Sequence, residues 1–223
     1  MNKNNKEFWS GGLTVDAVIF TVDDGKLKVL LINRSQQPFK GNWTLPGGFL
    51  KKGEELPLAA ARVLKDKTGV RDAYLEQLYT FDKKGRDPRG QIVTVVYFAL
   101  APGDKIQKFI DTKEANLFSV NRLPKLGFDH GKIIKYAAER LRYKLEYTNI
   151  VFSLLPQYFT LGQLQKVYEA ILGIRLDKRN FLKKFLSLSL IKPTKKVFSS
   201  GRQRPARLYQ FVSNKPQTLK KFF

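Results

Sequence analysis

Apolar residues crowd two early stretches, Leu13-Thr14-Val15-Asp16-Ala17-Val18-Ile19-Phe20 and Leu27 to Asn33, and each predicts a strand. Asp23-Asp24-Gly25-Lys26 lies between them and supplies the turn residues of a hairpin. A Gly/Pro-rich loop, Leu45-Pro46-Gly47-Gly48, leads to helical spacing from about Leu56 to Thr68, where Gly69 is placed as a C-cap. Strand-like segments return at Ala73–Phe81 and Gln91–Leu100, on either side of the polar stretch Asp82–Gly90. Phe128-Asp129-His130-Gly131 then precedes a helix running to about Tyr147, with Asp129 positioned to cap it.

Beyond that point the pattern changes. Leu161–Leu172 and Asp177–Leu188 are short amphipathic helices joined by Gly173-Ile174-Arg175-Leu176. Ile191–Phe198 and Arg207–Phe211 read as strands around the basic loop Ser199-Ser200-Gly201-Arg202-Gln203-Arg204-Pro205. Two helices followed by a hairpin with an arginine-rich tip outline a winged helix-turn-helix. The division is expected near residue 147, giving units 1–147 and 148–223.

Charge adds to this picture. The 223 residues carry 41 Lys/Arg against 19 Asp/Glu, a net of +22. Residues 1–145 hold 26 basic and 16 acidic groups, whereas 146–223 hold 15 and 3. So few acidic groups over the last third point to a polyanionic partner, nucleic acid first. There is no cysteine, which removes disulfides, thiolate metal sites and cysteine nucleophiles together. The single histidine, His130, rules out a histidine-rich metal site, and beside Asp129 it reads as a helix-start residue with a satisfied hydrogen bond. No apolar run approaches the roughly 20 residues of a membrane helix, and MNKNNKEFW has no signal-peptide stretch. The expectation is a soluble, cytoplasmic chain without a membrane partner.

Between Gly48 and Val70 the spacing is specific. Glu54 follows Gly48 after five residues, Arg62 follows after seven more, and Leu64, Gly69 and Val70 complete the series. This resembles the Nudix box, G-x5-E-x7-R-E-U-x-E-E-x-G-U, and Trp43-Thr44-Leu45-Pro46-Gly47-Gly48-Phe49-Leu50 matches the strand and loop that enter it. In Nudix hydrolases three glutamates on one helical face hold Mg²⁺ against a diphosphate. Here those positions are Val63, Asp66 and Lys67, so the resemblance implies the frame without its metal ligands, and no metal or cofactor is expected. Tyr74–Phe81, Arg86-Asp87-Pro88-Arg89-Gly90, Phe159–Gln165, Asp177–Phe181 and the wing Gly201–Tyr209 extend the likeness to the Nudix-related transcriptional regulators. Gln203, inside the wing, departs from the tighter run expected there.

The resemblance implies an α+β chain: an α/β/α Nudix-like sandwich with a mixed sheet, then an α+β winged helix. It implies a regulator of metabolic genes, binding a double-stranded DNA operator as a homodimer and controlled by ADP-ribose, where NAD metabolism is regulated, or by a sugar, where sugar metabolism is. In the sensor, Gly48, Glu54, Arg62, Asp66 and Lys67 belong to the box region. Arg34, Arg86 and Arg89 could pair with phosphate, and Trp43 and Phe81 could stack on a base. Lys67 could turn a metal site into an anion site. In the winged helix, Lys178, Arg179 and Asn180 would open the recognition helix, Lys183 and Lys184 would follow one turn on, and Arg202, Arg204 and Arg207 would present the wing. The alternatives are a divergent Mg²⁺-dependent hydrolase of ADP-ribose or a related compound, using Asp66 and Glu54, and an RNA-binding module. The winged arrangement weakens the second, because sequence-specific RNA readers present stacking aromatics to single strands.

Overall fold

The computed structural model describes residues 11–69, 73–110, 114–199 and 205–219. Strands β1 (Gly12–Asp23) and β2 (Lys26–Asn33) form the expected hairpin, turned by Asp24 and Gly25 with φ of 49° and 67°. Both turn residues are left-handed, as a two-residue turn between right-twisted strands requires. Next come β3 (Trp43–Thr44), β4 (Gly47–Phe49), α1 (Leu56–Thr68), β5 (Tyr74–Phe81), β6 (Ile92–Leu100), α2 (Gly103–Ile110), β7 (Ala115–Ser119) and α3 (His130–Leu145). The sheet order is β3-β2-β1-β6-β5, with β4 added to β1 and β7 to β2. Strands β1 and β6 run parallel while the other described strand pairs of this sheet are antiparallel, so the sheet is mixed.

The hairpin is forked. Ile19–Asp23 of β1 pair with β2, whereas Thr14–Asp16 pair with β4, and the far end of β2 pairs with β3. The segment carrying β3 and β4 thus enters between two strands that have parted, and Ala17 N–H donates to Pro46 O at the crotch (2.8 Å). Helix α1 starts at a proline-bearing first turn and stops at Gly69, whose φ of 63° lets its N–H return to Lys65 O. The pattern did not predict α2 and β7. The first is one eight-residue helix behind a Pro-Gly pair, the second five residues with an asparagine inside.

Alternate residues of the strands feed different layers. Ala17, Ile19, Leu30 and Ala99 meet Val63 and Leu64 of α1 and Ile106 of α2. On the opposite face Val18, Phe20, Val29, Leu31 and Phe98 meet Ile133, Ile134, Ala137 and Leu141 of α3. This second layer does not end with the sheet. It runs through Ile150, Val151 and Leu154 of a 3₁₀ turn, Leu164 and Tyr168 of α4 (Leu161–Leu172), Phe181 and Phe185 of α5 (Lys178–Ser187), and Ile191 and Phe211 of β8 (Ile191–Phe198) and β9 (Ala206–Phe211). Polar ties cross the same seam: Arg142 Nε donates to Ile171 O (2.9 Å) and Leu219 N–H donates to Tyr147 O (2.7 Å), while Lys144 pins α3 to β5 through Glu76 (2.9 Å). Among the described residues, no helix is long and apolar enough to cross a membrane.

Leu141 is fully buried where the sheet, α3 and the C-terminal helices share one core. Leu141→Ala is therefore expected to cost about 2–5 kcal/mol in urea denaturation. Scanning calorimetry should still show one transition. Two resolved transitions, with only one displaced, would show that the halves unfold independently.

Candidate functional site

The fork between β1 and β2 opens into a cleft of about 590 Å³. Thr14 and Asp16 come from β1, Ile32 to Gln36 from the end of β2 and beyond, and Thr44, Leu45 and Gly47 to Phe49 from the inserted segment. Arg86, Asp87 and Arg89 enter from the β5–β6 loop, and Phe128 and His130 from the start of α3. Phe128 holds a left-handed backbone (φ 55°), a strained state for a large side chain that sets its ring against the arginines.

Each arginine is held differently. Arg86 is buried and forks onto Asp129, its Nε and Nη2 donating to the two carboxylate oxygens at 3.1 and 2.8 Å. Asp129 therefore does not cap α3 through its side chain, contrary to the sequence expectation: the buried guanidinium takes both oxygens, a stronger charge-assisted pair than an amide contact. Arg89 pairs with Asp87 (3.0 and 2.6 Å) and lies over the Phe49 and Phe128 rings. Burial would raise Asp87, but the hydrogen bonds from Arg89 hold its carboxyl below the ordinary range. Arg34 donates to the backbone carbonyls of Pro38 and Gln37 and sits 5.0 Å over Phe128. Among the described residues it meets no carboxylate within ion-pair distance, and burial and then Arg89 push its pKa down. It is the cleft cation most in need of an anion.

Two buried groups lie deeper. Thr94 Oγ1 donates to Asp16 Oδ2 (2.8 Å), and Arg86 stands 3.9 Å from the same oxygen. Burial raises the Asp16 carboxyl to about 6, against the opposing pull of Thr94 and Arg86. Leu45 N–H donates to His130 Nδ1 (2.9 Å), so the neutral ring carries its proton on Nε2, 3.9 Å from Asp16. Burial holds this imidazole down at about 3, which keeps it neutral.

Of the residues singled out in the sequence, the structure brings Arg34, Gly48, Asp66, Arg86 and Arg89 to the cleft. It places Trp43 edge-on against Phe118, and Phe81 in an aromatic group with Tyr79 and Tyr136, so neither lines the cleft. Glu54 and Arg62 form a two-pronged pair (2.6 and 2.8 Å), and Arg62 also donates to Phe49 O, clamping the loop that leads into α1. Hydrogen bonds from Arg62 hold Glu54 down at about 2. The Lys67 side chain lies outside the described residues. Phe49, Phe128 and Asp16 gave no site signal in sequence, because an isolated aromatic or a polar residue within an apolar strand reads as packing, and His130 reads there only as a helix-start residue with a satisfied hydrogen bond.

The second surface is basic. Asp177 accepts from Asn180 N–H (2.8 Å) and starts α5, whose Phe181 and Phe185 stack against Tyr168 inside. Lys178, Arg179, Asn180, Lys183 and Lys184 are left on the exposed side, with Arg207 exposed on β9. Arg202 and Arg204 lie outside the described residues. Lys192, Lys195 and Lys196 of β8 add exposed charge that sequence reading had not singled out, with Lys196 3.8 Å over the Tyr158 ring.

A Nudix-like sheet with a cleft in its forked edge, packed on a winged helix with an outward basic helix, defines a DNA-binding regulator built on a Nudix sensor domain. Residues 12–137 match the NUDIX domain and residues 151–211 the NrtR DNA-binding winged helix domain, and the chain belongs to the NrtR family. It is 41% identical to the "ADPR responsive transcriptional repressor NtrR" of Acinetobacter baylyi, over 90% of this chain and 82% of that protein. Shewanella oneidensis NrtR complexed with a 27mer DNA superposes with a TM-score of 0.81 at 39% identity, covering 89% of this chain and 93% of that one. The NUDIX domain of the Shewanella protein complexed with ADP ribose gives 0.54 at 43% identity, covering 63% and 94%.

The two buried groups set opposite pH slopes. Asp16 is raised from 3.8 to about 6, so the folded chain gains a proton first and its stability rises as pH falls through that window. His130 is lowered from 6.5 to about 3, so the unfolded chain takes the proton first and stability is lost below 6.5. The two offset each other between about pH 6 and 4. Asp16→Asn should therefore steepen the acid loss of stability by up to ~1.4 kcal/mol per pH unit, measured by urea denaturation across pH 4–7. Parallel wild-type and variant profiles would contradict this assignment.

Proposed function

We propose that this chain is an ADP-ribose-responsive repressor: a homodimer that holds a palindromic operator through α5 and the wing, and releases it when ADP-ribose enters the cleft. The observation that carries the reading is Arg34, a cation with no carboxylate partner among the described residues, beside aromatic rings in a cleft of nucleotide size. Arginines of this kind favour a phosphate-bearing effector over a free sugar. ADP-ribose derives from NAD, so genes of NAD metabolism are the expected targets, and a DNA partner favours a cytoplasmic location. The roles of the relatives agree with this reading.

We further propose that the cleft does not hydrolyse its ligand. Val63 is buried in the core beneath α1, and Asp66 is the single carboxylate left at the three box positions. The described residues hold no group of three His, Cys, Asp or Glu arranged for a metal ion, so the donor set does not fit Mg²⁺. Incubation of the purified chain with ADP-ribose and Mg²⁺ is expected to release no AMP above background. Release that is abolished by Asp66→Asn would establish a hydrolase instead.

The operator reading is tested by gel shift on the DNA upstream of the chain's own gene, at roughly 150 mM salt with excess competitor. A competitor-resistant shift that ADP-ribose dissolves is the expected result. Arg179→Ala should weaken specific binding by about 1–3 kcal/mol and shrink its margin over random DNA. Lys183→Ala should weaken both kinds of binding alike and lower the salt slope by about one. Equal effects of the two variants on specific and random DNA would remove α5 from base reading.

A further inference from the structure

At the bottom of the cleft, two buried residues each present a polar atom that has no hydrogen-bond partner among the described residues. Asp16 is 7% exposed, and its Oδ2 is engaged by Thr94 while Oδ1 receives no donor. His130 is 4% exposed, and Leu45 fixes its proton on Nε2, which donates to no acceptor within hydrogen-bond distance. Gly47 keeps this corner open. It pairs with Asp16 across β1 and β4, and a Cβ there would stand 1.9 Å from Asp16 Oδ1. An acceptor and a donor side by side suit a hydroxyl, which can donate to the carboxylate while accepting from the imidazole. A phosphate does not suit the spot, because it would meet a buried carboxylate and bring no proton to share.

Resting on the effector reading above, we propose that Asp16 and His130 form a hydroxyl-reading floor that takes the terminal ribose of a nucleoside diphosphate sugar. The depth order supports this orientation. Phe49, half exposed, offers a stacking face for the base at the mouth, Arg34 stands over the Phe128 ring and Arg89 over those of Phe49 and Phe128, and the buried pair lies beneath. Asp16 and His130 then determine specificity: they separate the sugar-bearing ligand from the bare diphosphate, while the arginines hold what the two ligands share.

Calorimetric titration of the full chain with ADP-ribose, ADP and ribose 5-phosphate tests the floor. Wild type should bind ADP-ribose more tightly than ADP. Asp16→Asn, which keeps the shape and loses the anionic acceptor, should weaken ADP-ribose and ribose 5-phosphate by roughly 10–100-fold and leave ADP within about twofold. Gly47→Ala, which crowds Oδ1 and retains the charge, should give the same pattern and carries the comparison if Asp16→Asn does not fold. Equal losses on ADP and ADP-ribose, or no loss on either, would overturn the floor and leave the effector reading standing. Binding of ribose 5-phosphate without ADP-ribose would remove the effector reading, and the floor then stands or falls on whether Asp16→Asn weakens ribose 5-phosphate. A wild type that binds none of the three overturns both.

Discussion

The constraint on which the rest depends is the apolar layer on the α3 face of the sheet. It begins at Val18 and Phe20, passes through Leu141 and ends at Phe185 and Phe211, without a solvated gap between the halves. A flexible tether would let the winged helix move independently of the cleft. This packing makes its placement a property of the sheet and of α3 instead. Helix α3 has 16 residues and spans about 24 Å. Its head carries Asp129 in the grip of Arg86 at the cleft, and near its tail Arg142 is bonded to the last turn of α4.

Charge is arranged on two scales. At long range the chain is strongly cationic, with its excess concentrated toward the C-terminus, which suits approach to DNA. Inside the cleft, cation and anion are matched locally: Arg86 with Asp129, Arg89 with Asp87, and Arg34 left over. A nucleotide-sized ligand therefore meets one uncompensated guanidinium rather than a general basic patch, so what binds there is decided by geometry more than by net charge. Helix α5 itself holds Lys178, Arg179, Lys183 and Lys184 and no acidic residue from Lys178 to Ser187, so its own sequence supplies no carboxylate to offset them.

Much of this was legible in the sequence, and for a physical reason. The spacing of Glu54 and Arg62 is set by the clamp they form around the loop before α1, and the stop at Gly69 by its left-handed backbone. The two helices and the hairpin of the winged helix announce themselves by periodicity and by Asp177 at a cap position. The cleft floor was not legible. Asp16 sits in a strand whose other residues are packing groups, and only the pairing with Gly47 turns its side chain into a lining group. Asp129 reads locally as a cap, and a residue 43 positions earlier in the chain overrides that reading. Trp43 and Phe81 looked like stacking groups because aromatics near a glycine-rich loop do, whereas their rings are taken by Phe118 and Tyr136.

A ligand can move an equilibrium only by its difference in affinity between two arrangements. The buried Arg86–Asp129 pair joins the cleft to the head of α3. Its guanidinium is almost wholly enclosed, so separating the pair outright would strand a buried charge, at a cost of about 3–5 kcal/mol. Asp129 opens the helix that carries the DNA-binding half, and the shared core resists bending along the way. A cost of this size, where the cleft meets the head of α3, exceeds the roughly 1–3 kcal/mol of coupling typical between two linked sites.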